Sequence, residues 1–94
     1  MFSDGTYDDV ARWLRNFLAS HAKRENARAE VELDAGEERA GKSYAARVRL
    51  GERLTAPIEF EFADVARNRG SHEWCAALAA RVREVVRDLG SAAA

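Results

Sequence analysis

Three consecutive segments between Ala27 and Phe62 alternate apolar and charged residues with a period of two. Because successive side chains of a β-strand point to opposite faces, this pattern is typical of strands with one buried face. The segments on either side space their apolar residues three and four apart, as an amphipathic helix requires. The order helix, strand, strand, strand, helix therefore predicts an α+β fold.

Each predicted strand has one apolar and one charged parity. The apolar residues are Ala27, Ala29, Val31, Leu33 and Ala35 in the first strand, Tyr44, Ala46, Val48 and Leu50 in the second, and Leu54, Ile58, Phe60 and Phe62 in the third. Short turns predict a three-stranded antiparallel meander with the second strand in the middle and both helices on its apolar face. Arg47 and Arg49 of the middle strand should then lie between acidic residues of both neighbours, which favours this strand order. Those acidic residues are Glu30, Glu32, Glu59 and Glu61.

The two helices carry boundary signals. The first should begin near Tyr7, where Thr6 and Asp9 have the spacing of a capping box. The second should begin after Ser71 as its N-cap and end before Gly90, a C′ glycine. The connector from Asp64 to Gly70 has room for one helical turn capped by Asp64. The apolar stripes, which should meet the sheet, are Tyr7, Val10, Leu14, Phe17, Leu18 and His21, and Trp74, Cys75, Leu78, Val82, Val85, Val86 and Leu89. Phe60, Phe62, Leu14, Phe17, Leu78 and Val82 are expected to meet in the core.

Length and charge limit the class of protein. A chain of 94 residues suffices for one hydrophobic core, so we expect a single domain over 1–94, ordered from about 6 to 90 with a frayed tail at 91–94. The 15 basic and 16 acidic side chains leave a net charge of −1, which favours neither nucleic acid nor anionic lipid. A lone cysteine, the lack of a long apolar run and the absence of a signal-peptide pattern predict a cytoplasmic protein without a membrane segment. The abundance of Arg and Ala is typical of a GC-rich bacterial genome.

The sequence contains no residue set typical of catalysis. His21 and His72 lie on different predicted helices, and no catalytic triad can be assembled around either of them. His72 and Cys75 have a spacing that suits two metal ligands, but no second pair completes a tetrahedral zinc site. There is no phosphate-binding loop or dinucleotide fingerprint. We therefore expect no enzymatic activity, no cofactor and no metal.

Two features of the helices suggest a contact surface. Trp13 lies at the border of the first apolar stripe, and Ala76, Ala77 and Ala80 line the outward side of the second helix. Trp13 could simply cover the sheet edge, and the alanines could serve helix propensity; the alternative is an interaction surface that another helix approaches closely. The functional hypothesis is a non-catalytic protein-interaction or accessory domain, self-associating as a homodimer through this surface. Pairing between sheet edges is disfavoured because Pro57 lacks a donor and acidic side chains repel their copies.

Basic residues occur in three regions of the predicted order: Arg12 and Arg15 in the first helix, Arg39 and Lys42 between the first two strands, and Arg67, Arg69 and His72 around the start of the second helix. The order across residues 7 to 89 resembles the double-stranded RNA-binding domain, a family that contacts RNA with these same regions. The resemblance implies weak duplex-RNA binding as an alternative function. The family's motifs do not follow: Glu37-Glu38-Arg39-Ala40 replaces its Gly-Pro-x-His-like loop element, and His72-Glu73-Trp74-Cys75-Ala76 replaces Lys-Lys-x-Ala-Lys. Nucleic acid is therefore the less favoured partner.

Overall fold

The computed structural model describes residues 7–91. The predicted cap Thr6 and residues 92–94 of the predicted tail lie outside this range, whereas Ser91, the first residue of that tail, ends α3. The helices are α1 (Tyr7–Glu25), α2 (Phe62–Asn68) and α3 (His72–Ser91), and a short 3-10 turn spans Glu37–Arg39. The strands are β1 (Glu30–Asp34), β2 (Ser43–Leu50), β3 (Arg53–Leu54) and β4 (Ile58–Glu61). Within residues 7–91, none of the helices combines the length and apolar character that crossing a membrane requires.

The sheet is antiparallel, with β2 in the middle. β1 pairs with one edge of β2, and β3 and β4 pair with the other. Val31 and Leu33 of β1 pack against the core while Glu30 and Glu32 are exposed, as the strand parity predicts. The predicted α+β fold, a meander with helices packed against its apolar face, is confirmed.

The third predicted strand is interrupted, and here the sequence-based boundaries are wrong. Arg49 lies opposite Leu54 and Ala46 lies opposite Ile58, so two residues of β2 face three residues, 55–57, of the third strand. This extra residue is a bulge. Thr55 forms it by accepting the Val48 N–H on its side-chain oxygen at 3.0 Å, while its own N–H donates to the Val48 carbonyl at 3.0 Å. Pro57, which has no N–H to donate, is the last residue of this segment.

The helices that follow β4 also differ from expectation. Phe62 is the first residue of α2 and not the end of a strand, and Glu61 occupies the N-cap position that was predicted for Asp64. Ser71 caps α3 as predicted, since its hydroxyl accepts the Trp74 N–H at 3.3 Å. α3 continues through Gly90, contrary to the predicted end at this glycine. A Cβ at Gly90 would be in van der Waals contact with Leu50 of β2, so the last turn of α3 runs beside the sheet.

The core is centred on small and branched side chains together with one tyrosine. Its largest fully buried side chains are Tyr44, Leu14, Val10, Val65 and Val86. Leu78 and Val82 are buried as predicted, whereas the three predicted core phenylalanines are only partly buried and pack around this centre. These are Phe17, Phe60 and Phe62.

Charges on the helix-free face of the sheet follow the prediction on one side only. Arg47 lies opposite Glu32, and the Glu32 carboxylate contacts the guanidinium of Arg49 at 2.6 Å. On the other side, Glu59 lies opposite Ala45 and not opposite an arginine. The predicted ladder of Arg47 and Arg49 with the acidic residues of the third strand is therefore wrong, because Leu54 and the segment 55–57, which contain no acidic residue, lie opposite the two arginines.

Arg39 supplies the missing cation from the turn between β1 and β2. Its guanidinium lies 2.7 Å from the Glu59 carboxylate and 3.3 Å from that of Asp34, and it also donates to the Ser43 hydroxyl at 3.1 Å. One side chain thus connects β1, β2 and β4 across the open face. The hydrogen bond and charge of Glu59 are the main causes that raise the pKa of Arg39.

Candidate interaction groove

A surface groove runs between α3 and the outer edge of β4. It consists of two adjoining cavities of about 600 and 450 Å³, and Glu59 and Arg81 belong to the walls of both. We call this feature the α3–β4 groove. Its apolar walls are formed by Trp74, Ala77, Leu78, Val85 and Leu89 from α3, and by Pro57, Ile58 and Phe60 from the strand side.

The local sequence explains why this groove opens. Trp74, Leu78, Arg81 and Val85 recur at intervals of three and four, so they share one side of α3. This side is not fully covered by the sheet, because the bulge at 55–57 and Pro57 leave β4 only four residues long. Trp74, Phe60 and Val85 consequently remain half-buried while Leu78 is buried. The result is an apolar trough whose floor belongs to the core.

The rim of the groove is acidic. Glu59, Glu61, Asp64 and Asp88 are exposed, and Arg81 is the cation among the described residues that line it. Two of these carboxylates already have cationic neighbours: Arg39 pairs with Glu59, and the Arg67 guanidinium lies 3.8 Å from Asp64.

The other two carboxylates are available to a partner. Glu61 and Asp88 form no ion pair with any residue in 7–91. Arg87, which is next to Asp88 in sequence, pairs with Glu25 of α1 instead. Glu61 lines the first cavity and Asp88 lines the second, so each end of the groove has one acidic residue without an ion pair. The Glu61 side chain lies on the same, helix-free face of β4 as Glu59.

The structure distributes the predicted contact residues over different places. Ala76, Ala77 and Ala80 are all exposed, but only Ala77 lines the groove. Because a helix turns by about 100° per residue, Ala76 faces away from the sheet. Trp13 is half-buried, stacked on Phe17 with ring centroids 5.0 Å apart and tilted against Trp74 at 6.3 Å. Trp13 therefore packs against Trp74, which lines the groove.

The predicted RNA-contacting residues do not form a uniformly available set. Arg12, Arg15, Lys42 and His72 are exposed, whereas Arg69 is partly buried. Arg39 and Arg67 are engaged with acidic side chains, as described above.

Sequence reasoning missed Phe60, Glu61, Arg81 and Asp88 as site residues. One signal was present: Arg81 lies three residues after Leu78 and four before Val85, inside an apolar stripe. A charged residue in that position indicates that this side of the helix reaches solvent. The opening beside it depends on the bulge in the third strand, which no spacing in the sequence reveals.

The other reactive side chains are held in structural contacts. The Cys75 thiol donates to the Arg69 carbonyl at 3.4 Å. Burial and the nearby charges of Arg24 and Arg83 lower the pKa of His21, whose ring lies 4.5 Å from that of Phe17. Within the described residues, no three side chains of His, Cys, Asp or Glu are grouped to hold a metal ion.

No protein-family model, curated protein or solved structure matches this chain. The geometry and charge of the groove are therefore the grounds for interpreting its function.

Proposed function

We propose that this domain is a non-catalytic protein-interaction module whose partner binds in the α3–β4 groove. The observation that carries the proposal is the apolar trough, in which Trp74, Phe60 and Val85 remain half-buried at the surface. Both cavities fall within the range of about 300 to 1,000 Å³ that is typical of binding pockets. Apolar walls with an acidic rim also have the arrangement of protein interfaces, an apolar centre surrounded by polar residues.

The charges give duplex-RNA binding less support. An RNA-binding surface needs several cations that are free to contact phosphates. Here Arg39 is bound to Glu59 and Asp34, and Asp64 lies beside Arg67. We expect no shift of a duplex RNA on mixing with the protein at low salt; a shift that disappears as salt rises would favour the RNA alternative.

Self-association in the cytoplasm remains part of this proposal on the sequence grounds given above. Sedimentation measured from low to high micromolar concentration tests it, since a dimer sediments faster as concentration rises. A strict monomer would remove the self-association. If a dimer forms, Ala80→Arg should weaken it when the interface is the outward face of α3, whereas persistence of the dimer would place the interface elsewhere.

A neighbouring pair of alanines provides the test of the groove. Peptides should be selected from a displayed random library against the domain, and their affinities measured for two variants. Ala77→Arg fills the groove, while Ala76→Arg adds the same side chain one residue earlier on the exposed face of α3. Both positions are exposed and Arg is a good helix former, so both variants should fold.

The expected result is that the selected peptides bind the wild type and the Ala76→Arg variant equally and lose at least tenfold in affinity for the Ala77→Arg variant. Circular dichroism should show the same fold for all three proteins. If no peptide is enriched, or if Ala77→Arg binds as well as the wild type, the groove is not the interaction site.

A further inference from the structure

We infer that the partner of the α3–β4 groove is an extended protein segment in which large apolar residues alternate with Lys or Arg. This inference rests on the proposed function and specifies the chemistry of the partner. Three features of the groove support it: the unpaired carboxylates at its ends, the apolar walls between them and the open edge of β4.

The positions of the carboxylates require cations on the partner. Glu61 and Asp88, which have no ion pair among the described residues, stand at opposite ends of the groove. An uncharged apolar segment would remove water from these two carboxylates without supplying a cation or hydrogen-bond donor in its place. An acidic segment would be repelled. Lys or Arg at both ends of the bound segment satisfies them. Arg81 lies in the wall shared by the two cavities, so a polar or acidic residue is tolerated at the centre.

The edge of β4 favours an extended backbone. Within residues 7–91, β4 pairs only with β2. The Phe62 N–H donates to the Lys42 carbonyl, and since N–H groups alternate in direction along a strand, those of Glu61 and Glu59 point away from β2. These groups can pair with an added strand, while the side chains of that strand occupy the neighbouring cavities.

The same edge discriminates against a second copy of this chain. Two β4 edges placed side by side would bring Glu59 and Glu61 close to their own copies, and Pro57 offers no donor. A cationic segment meets these carboxylates favourably. The charges that protect the edge from self-pairing therefore select a partner of the opposite sign.

The groove also determines the length of the segment. Trp74 and Asp88 are 14 residues apart on α3, which corresponds to about 21 Å along a helix. An extended chain covers this distance in about six residues. A segment of this length places its outer cations close to the two end carboxylates and at least two apolar side chains on the groove side.

The test uses two labelled 12-residue peptides with Gly-Ser ends. One alternates Leu and Lys over its central six residues, and the other has Glu in place of Lys. Fluorescence anisotropy should show that the Lys peptide binds at least tenfold more tightly than the Glu peptide at low salt, and that the difference narrows as salt is added. Glu61→Gln and Asp88→Asn should each weaken the Lys peptide about two- to fivefold. Glu84→Gln, an exposed acid on α3 outside the groove, should leave its affinity unchanged.

The backbone part has its own measurement. Binding of the Lys peptide should slow hydrogen exchange of the Glu59 and Glu61 amides, whose N–H groups point away from β2. Unchanged exchange at both amides, or a helical signal from the bound peptide in circular dichroism, would contradict the extended conformation.

The outcomes separate this inference from the proposed function. Equal binding of both peptides, with loss of both in the Ala77→Arg variant, would overturn the cationic partner and leave the groove as an interaction site. Library peptides that bind in the groove but lack Lys and Arg would likewise overturn the cationic partner and keep the groove as an interaction site. Failure of every peptide to bind would overturn the proposed function itself.

Discussion

Replacing Tyr44 by Phe tests a hydroxyl group on a side chain buried in the core. The Tyr44 side chain is fully buried, its hydroxyl donates to the Tyr7 carbonyl at 2.8 Å, and its ring stacks on that of Tyr7 at 4.6 Å. Phe keeps the ring and removes only the hydroxyl. Because a buried hydrogen bond contributes about 1 kcal/mol net, we expect Tyr44→Phe to lower the free energy of unfolding by about that amount at pH 7.

The difference should depend on pH in a defined direction. Burial and, to a smaller extent, the charges of Tyr7 and Asp8 raise the pKa of Tyr44 above its ordinary value. Above about pH 10 the unfolded chain loses the phenolic proton while the folded protein keeps it, so the wild type loses about 1.4 kcal/mol of stability per pH unit. The Phe variant has no proton to lose at this position. The two stability curves should therefore converge and cross near pH 11.

Urea unfolding followed by tryptophan fluorescence between pH 7 and 11 measures this effect. Taking the difference between variant and wild type cancels the titration of residues that both proteins share. A difference that stays constant from pH 7 to 11 would refute the buried hydroxyl. Tyr7→Phe is a second test with the same sign, since burial also raises the pKa of Tyr7, which is partly buried and whose hydroxyl donates to the Ser43 carbonyl.

The remaining predictions concern the core and the open face of the sheet. Leu14→Ala should cost about 2 to 5 kcal/mol and more than Phe60→Ala, because Leu14 is fully buried and Phe60 is not; urea unfolding that ranks them in reverse would move the core centre toward the groove. Arg39→Met should lower the melting temperature at low salt and less at high salt, since Arg39 joins Asp34 to Glu59; an effect equal to that of Arg28→Met, an exposed control, would contradict this contact. Arg49→Glu should cost about 1 kcal/mol by placing like charges beside Glu32, and an unchanged unfolding midpoint at low salt would exclude the pair.

The parity of β1 and the Ser71 helix cap could be predicted because each depends on near neighbours in sequence. Val31 and Glu32 lie on opposite faces of β1 because successive side chains of a β-strand point to opposite faces. Ser71 caps α3 through a bond to an N–H three residues away. Burial of one face then requires helices on that side, so the fold class follows from these local signals.

The features that escaped prediction depend on partners distant in sequence. The strand is interrupted at Thr55 because the Thr55 hydroxyl accepts a hydrogen bond from the Val48 N–H across the hairpin. α3 continues through Gly90, where its last turn runs beside Leu50 of the sheet. Arg39 reaches Glu59, 20 residues away, only after the 3-10 turn has placed it over the sheet. These contacts form only in the assembled sheet, so residue spacing along the sequence does not predict them.

The bulge and the groove are two consequences of one local change in the third strand. The extra residue at 55–57 sets Glu59 opposite Ala45 on the helix-free face, where Arg39 contacts it, whereas a direct continuation of the Arg49–Leu54 pairing would have set it opposite Tyr44. It also leaves β4 too short to cover the side of α3 that carries Trp74 and Val85. A straight third strand would have turned Glu59 and Glu61 toward the helices and their apolar neighbours toward the helix-free face. The departure from the simple pattern thus leaves the acidic residues of β4 beside an apolar trough, and departures of this kind are where binding sites are expected.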